Sequence, residues 1–190
     1  MSRSDQAGAK TAPGEKIRVG VSSCLLGQPV RHDAGHKLDR NVTGILALRF
    51  ELVAVCPEVE VGMGVPREPV HLVRSGNDIR MVGARSGNDH TDAMRRYAAG
   101  RVAGLAALGI CGCILKKNSP SCGPDDVATF APDGAAAPPD RGLFAAALQD
   151  AMPRLPVEDE ARLGDAALRE AFIERVLAYA RARASQPAPR

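Results

Sequence analysis

Cys122 stands in a loop with Ser119, Pro120, Ser121, Gly123 and Pro124, directly after the apolar run 110–115. Pro120 and Pro124 fix φ and Gly123 can take a positive φ, so sterics shape the backbone that presents the thiol. Lys116 and Lys117 precede it, a positive setting that favours thiolate over thiol. Two more cysteines have the same kind of address. Cys24 follows a segment in which Ile17, Val19 and Val21 alternate, and Cys56 follows Leu52-Val53-Ala54-Val55 and is itself followed by Pro57-Glu58. Cys111 and Cys113 differ: they lie inside an apolar run two residues apart, hence on one face, and are read as core packing.

The three loop cysteines are far apart in sequence and lack the short spacings of zinc fingers or ribbons. If they meet, the fold must bring them together. Three thiolates cannot complete a tetrahedral zinc site alone, but they satisfy three of the four corners of a cubane 4Fe-4S cluster and leave one iron open. An open iron is a Lewis acid that takes sulfur ligands, so the matching chemistry is capture of a substrate sulfur, with a carboxylate or hydroxyl nearby to manage protons. Glu58, Glu60, Ser119 and Ser121 are the candidates for that work. The bland readings stand beside this one: a cysteine at a strand end as a buried small residue, Glu58 as a partner for a loop amide, either serine as a cap. Residue types and spacing leave both open.

The elements that position these loops follow from periodicity. A strand is expected over 16–22, a short amphipathic helix over 37–49 from Leu38, Val42, Ile45, Leu46 and Phe50, and a strand over 52–55. Two short strands are expected over 70–73 and 79–82. Asp89 or Thr91 caps a helix with Met94, Tyr97, Ala98, Val102 and Leu105 on one face, Gly109 stops it, and 110–115 is the third strand of the sheet. Residues 131–139 read as a Pro/Gly/Ala loop, 143–152 as a short helix and 155–157 as an extended piece. Asp165 caps a last helix that carries Leu168, Phe172, Val176 and Tyr179, with Arg181 and Arg183 near its negative end. The pentapeptide Arg-Ser-Gly-Asn-Asp occurs at 74–78 and again at 85–89, read as two similar turns.

The order strand, helix, strand predicts an α/β fold: a single three-layer Rossmann-like domain over 16–184, with a mainly parallel sheet and the cysteine loops at strand carboxyl ends, where such sheets gather ligands. Residues 1–15, rich in Ser, Ala, Gly and charge, read as a flexible tail, and 185–190 as a Pro-bearing one. The 190-residue chain is 45% hydrophobic but only 3% aromatic and has no Trp, so its core must rest on aliphatic packing. A net charge of +3, from 25 basic and 22 acidic residues, is too even for a general polyanion-binding surface. With no apolar segment suited to export or to spanning a membrane, the expected location is the cytoplasm. Five cysteines, an odd number, do not make a disulfide framework there.

Resemblance adds what spacing cannot. Ser23-Cys24-Leu25-Leu26-Gly27 with Val30-Arg31-His32-Asp33, then Cys56-Pro57-Glu58-Val59-Glu60 with Pro66-Arg67, then Leu115-Lys116-Lys117 with Ser119-Pro120-Ser121-Cys122-Gly123, resemble the bacterial thiouracil desulfidase family in order across 16–123. The resemblance implies a 4Fe-4S cluster held by Cys24, Cys56 and Cys122, whose free iron binds the sulfur of a thiolated uracil before water replaces that sulfur. It implies that Ser119 and Glu58 assist proton transfer. The segment 155–160, with the helix around 169–176, resembles the desulfidase part of two-domain relatives that remove sulfur from 4-thiouridine in transfer RNA; the expectation is a desulfidase domain without the second domain of those relatives.

Expected partners are therefore a thiolated nucleobase, nucleoside or nucleotide, with tRNA as the largest, and no membrane. Arg31, Arg67, Arg74, Lys116 and Lys117 lie in the inferred loops, where they meet a phosphate, stay solvated, or pair with Asp33 and the glutamates. His32, His36 and His90 are read as loop or capping partners. The rival from another class is a non-catalytic metal- or nucleotide-binding module whose cysteines serve structure.

Overall fold

The computed structural model describes residues 16–185. The expected tails therefore lie outside the described residues, apart from Ser185. Eight strands are named in chain order: β1 (Arg18–Ser22), β2 (Glu51–Val55), β3 (Val70–Ser75), β4 (Asp78–Gly83), β5 (Gly112–Leu115), β6 (Val127–Phe130), β7 (Ala136–Asp140) and β8 (Val157–Asp159). The helices are α1 (Ala47–Arg49), α2 (Pro57–Glu60), α3 (Thr91–Ala107), α4 (Leu143–Ala151) and α5 (Ala166–Ala184).

β2, β1, β5 and β8 form a four-stranded sheet in that order, and its three pairings are all parallel. β1 starts a connection to β2 on one side, while β5 adds on the other, so strand order reverses between β1 and β5. That is the switch point at which loops of an open α/β sheet part and leave a crevice. Both faces of the sheet are covered. Met94, Ala98, Val102 and Leu105 of α3 and Phe144 and Leu148 of α4 pack with Cys113 and Leu115 on one face. Phe172, Ile173 and Val176 of α5, with Val42, Leu46 and Phe50, pack with Val19, Val21 and Ile114 on the other. The result is the Rossmann-like three-layer arrangement expected from the chain.

A second sheet, ordered β4-β3-β6-β7, is mixed: β3–β4 and β6–β7 are antiparallel hairpins joined by a parallel β3–β6 pairing. Its far hairpin occupies 127–140, most of which was expected to be loop. Pro138 and Pro139 argue against a strand only if it is central; β7 lies at the sheet edge, where a missing donor costs little. The two Arg-Ser-Gly-Asn-Asp copies do different work. The first closes the β3–β4 hairpin with Gly76 at φ 62, and the second carries Gly87 at φ 68 in the turn before α3.

The helix expected over 37–49 is shorter. A π-helical turn spans Asn41–Leu46 and runs into α1, because Asp39 takes the amides of Asn41 at 2.9 Å and Val42 at 3.0 Å and so sets the start. Leu38 and Ile45 of the expected stripe are exposed, while Val42, Leu46 and Phe50 are buried. Asp165 caps α5 as expected, accepting from Ala167 and Leu168 amides. Cys111 and Cys113 are buried but do not share a face. Cys111 precedes β5 and joins the α5 side, whereas Cys113, in the strand, joins the α3 and α4 side.

Candidate active site

Each cysteine loop is shaped by backbone bonds close to the thiol. Cys24 sits in a 3-10 turn, Ser23–Leu26, directly after β1. Its carbonyl accepts the amides of Gly27 at 3.3 Å and Lys37 at 2.9 Å, which folds the long following loop back over it. Gly27 holds φ 86, a conformation that favours glycine. Cys56 precedes α2, where Pro57 suits the first helical position. The Glu60 carboxylate turns back to accept the Cys56 amide at 2.8 Å, and its other oxygen meets Tyr97 at 2.8 Å and Arg101 at 3.1 Å. Glu60 is thus a brace between α2 and α3 rather than a group facing the cleft.

Cys122 reaches the same place from the loop after β5. The first amides of α4, unpaired in any helix, bond to this loop: Leu143 to Pro120 O at 3.0 Å, and Phe144 and Ala145 to Ser121 O at 3.0 and 3.1 Å. Gly123 allows the tight turn, since a Cβ there would stand 2.2 Å from Val127 Cγ2 and 3.0 Å from Ser119 O.

Cys24, Cys56 and Cys122 line one cleft of about 250 Å³ together with Ser22, Arg31, His32, Glu58, Arg67, Lys116, Lys117, Ser119 and Ser121. Burial pushes the Cys24 thiol up to about 11, with the neighbouring Cys56 adding to the rise. Burial likewise raises Cys56 and lifts Cys122 well above the ordinary thiol range, with Glu58, Cys24 and Cys56 adding to the latter. The three thiols therefore feel one another electrostatically, and none is set up as an isolated nucleophilic thiolate.

The expectation that Lys116 and Lys117 favour a Cys122 thiolate is corrected here. Lys116 pairs with Glu160, at the end of β8, and its charge acts on Cys24. Among the described residues, no three or more His, Cys, Asp or Glu side chains converge on a position for one metal ion. A cluster makes a different demand, because each cysteine then binds a different iron.

Glu58 and the two serines form a chain along the cleft wall. Arg67 holds Glu58 Oε2 from Nη2 at 2.6 Å and from Nε at 2.9 Å, with side chains only 7% and 15% exposed. Arg67 also donates to Gly64 O at 2.8 Å and Val30 O at 3.0 Å, tying Glu58 to the first cysteine loop. Of the roles its loop position allowed, Arg67 takes the pairing with a glutamate rather than the phosphate contact, and it acts as an internal clamp. The Ser121 hydroxyl donates to Glu58 Oε1 at 2.5 Å and lies 3.1 Å from Ser119 Oγ. Ser119 Oγ in turn accepts the amide of Cys122 at 3.1 Å and that of Ser121 at 3.4 Å.

Other expectations sort by position. Arg31, His32, Lys116 and Lys117 line the cleft, while Arg74 lies on the second sheet, bonded to Asp140 at 2.6 Å. His36 bonds the Leu38 amide at 3.2 Å as a loop partner. Ser22 was not anticipated: buried at the end of β1, it accepts the Lys116 amide at 2.9 Å and bonds the Cys122 thiol. Its only sequence signal is its place at the end of an alternating strand.

The sequence model of the 2-thiouracil desulfurase family matches residues 19–160. The chain belongs to this family. YbbK of Bacillus subtilis, an uncharacterized protein, is 33% identical over 108 residues, covering 54% of this chain and 71% of YbbK. A solved structure, the 4Fe-4S-dependent thiouracil desulfidase TudS, is 34% identical with a TM-score of 0.63, over 83% of this chain and 99% of TudS. The cleft thus lies in the part of the chain that carries the desulfurase family's sequence.

Proposed function

We propose that the chain is an iron-sulfur enzyme that replaces the sulfur of a thiolated uracil derivative by oxygen. The observation that carries this reading is the meeting of three thiols from three separate loops beside the Ser119–Ser121–Glu58 chain. Family membership and the likeness to TudS support it. The donor set fits a 4Fe-4S cluster: three soft thiols from three loops line one cavity, with no fourth cysteine among its lining residues. Cys24, Cys56 and Cys122 would hold it, each losing its proton on binding. Such a cluster supplies a Lewis-acidic iron for the substrate's sulfur.

The remaining work falls to the chain's own residues. Water must give up a proton as its oxygen bonds to the ring carbon, and Ser119 Oγ lies at the cleft wall to handle that proton. Two amides already point at this oxygen and would steady negative charge on it. Glu58 is the acceptor at the far end, held in place by Arg67. Lys117 at the cleft, beside Arg31 and Lys116 in their pairs with Asp33 and Glu160, offers a cation that suits a nucleotide as well as a free base, and tRNA as the largest substrate. The enzyme is taken to work in the cytoplasm; among the described residues no helix is long and apolar enough to cross a membrane.

Anaerobic reconstitution with iron and sulfide tests the proposal. A brown protein that releases sulfide from 4-thiouracil is expected. A colourless protein that takes up no iron would sink it. Comparing rates on 4-thiouracil, its nucleotide and thiolated tRNA then selects the substrate. Ser119→Ala should keep iron and colour while sulfide release falls on the order of 100-fold.

A further inference from the structure

We infer that Ser121 is the positioning residue through which Ser119 and Glu58 act as one unit, its hydroxyl bridging every proton that passes between them; this rests on the desulfidase reading above. Ser121 Oγ is 2.5 Å from Glu58 Oε1 and 3.1 Å from Ser119 Oγ. A carboxylate can only accept, so Ser121 spends its single proton on Glu58 and can only accept from Ser119. The order of donation is therefore Ser119 to Ser121 to Glu58. Arg67 occupies the other Glu58 oxygen at 2.6 Å, which leaves Oε1 to receive.

Ser121 has little freedom to do anything else. Its residue is 1% exposed, and its carbonyl takes two amides from the start of α4. A Cβ on Gly142 would stand 2.6 Å from the Ser121 carbonyl carbon, so α4 rests directly on this loop. The bridge is built into the backbone that also presents Cys122.

The step balances without electron transfer. Water passes a proton to Ser119 Oγ while the Ser119 proton moves to Ser121 and the Ser121 proton to Glu58 Oε1. The water oxygen forms the new bond to carbon, the carbon–sulfur bond breaks with its electron pair on sulfur, and two protons reach that sulfur: the one stored on Glu58, returned along the chain, and the one the new hydroxyl gives up as C=O forms. In sum, C=S and water become C=O and hydrogen sulfide.

The test uses anaerobically reconstituted wild type, Ser119→Ala, Ser121→Ala, Ser121→Thr and the Ser119→Ala/Ser121→Ala double variant, assayed for iron, colour and sulfide release from 4-thiouracil. Ser121→Ala should keep iron and colour, hold its KM and lose on the order of 100-fold in kcat. Ser121→Thr, which keeps the hydroxyl, should recover most of that loss. The double variant should be no slower than the slower single one, as for groups that act as a unit. The proton inventory in mixed H2O and D2O should be curved in wild type and linear in Ser121→Ala.

A Ser121→Ala rate within threefold of wild type overturns the bridge, as does loss of iron in that variant, which makes the hydroxyl structural. Multiplying losses in the double variant also overturn it. If wild type takes up iron yet releases no sulfide, the desulfidase reading falls and the bridge with it. If Ser119→Ala is crippled and Ser121→Ala is not, only the bridge falls.

Discussion

At the carboxyl edge of the parallel sheet and in its middle, the chain buries cysteines to nearly the same depth. Cys122 is 6% exposed and Cys113 0%, and burial raises both thiols, Cys113 to about 12. What separates them is company. Cys113 packs among aliphatic side chains, with its sulfur where a Cβ on Gly20 would stand only 3.0 Å away. Cys122 has Ser22, Glu58, Cys24 and Cys56 within electrostatic reach. Depth of burial does not separate the cleft cysteine from the core one; the polarity of what surrounds each does.

Replacing each of the two cysteines by alanine tests this comparison most sharply. Cys122→Ala is expected to lose the capacity for iron and all sulfide release after anaerobic reconstitution. Cys113→Ala should keep its iron and cost only about 1 kcal/mol of stability. Iron analysis and thermal melts of the pair decide, and iron loss from the Cys113 variant would erase the distinction.

Next in size is the edge's ion pair. With side chains 7% and 15% exposed, removing Arg67 leaves the Glu58 carboxylate without its counter-charge, at a cost of about 3–5 kcal/mol. Arg67→Ala should therefore lower the denaturant midpoint more than any interior substitution named here. Arg175→Ala makes the contrast: its pair with Glu158 leaves the arginine 51% exposed, and such pairs contribute roughly 0–1 kcal/mol.

The interior has its own sensitive point. A Cβ on Gly112 would stand 2.7 Å from Val176 Cγ2 and 3.3 Å from Phe172 Cζ, so Gly112→Ala pushes α5 off the sheet. Overpacking of this kind costs roughly 1–3 kcal/mol. Iron binding should survive, because the strain falls at the amino end of β5 while Cys122 lies in the loop beyond its other end. A melt that drops with iron retained is the expected result.

The contrast also marks what the chain could tell unaided. Cys24, Cys56 and Cys122 were legible because each ends an apolar run in a Pro- or Gly-bearing loop, and the strand order then forces those loops to one edge. Asp165 was legible because a cap is a local event. That Arg67 and Lys116 pair with glutamates was one reading of the loops, but which glutamate each takes was not legible, since a charge's partner is chosen by the fold and lies 44 residues away for Lys116 and Glu160. β7 was hidden by its prolines, which a strand tolerates at a sheet edge and periodicity cannot locate. The Cys111–Cys113 face was misjudged because alternation holds only inside a strand, and β5 begins at Gly112.

The smallest effect comes from a group with the partners of the edge and the burial of neither region. Glu68 accepts the Ser86 hydroxyl and the amides of Arg85 at 2.9 Å and Ser86 at 3.0 Å. The hydrogen bonds, that from the Ser86 side chain foremost, hold its carboxyl down to about 2 from an ordinary 4.5. The sign follows from that direction: an acid depressed in the folded state adds stability above its unfolded value, and that addition is lost as pH falls from about 4.5 towards 2. Glu68→Gln should therefore melt slightly below wild type at pH 7, by a few degrees at most, and the gap should close across that acid window. A gap that stays constant down to pH 2 would mean that the carboxylate's charge contributes nothing there, and that hydrogen bonds without burial do not set a group apart as they do for Cys122.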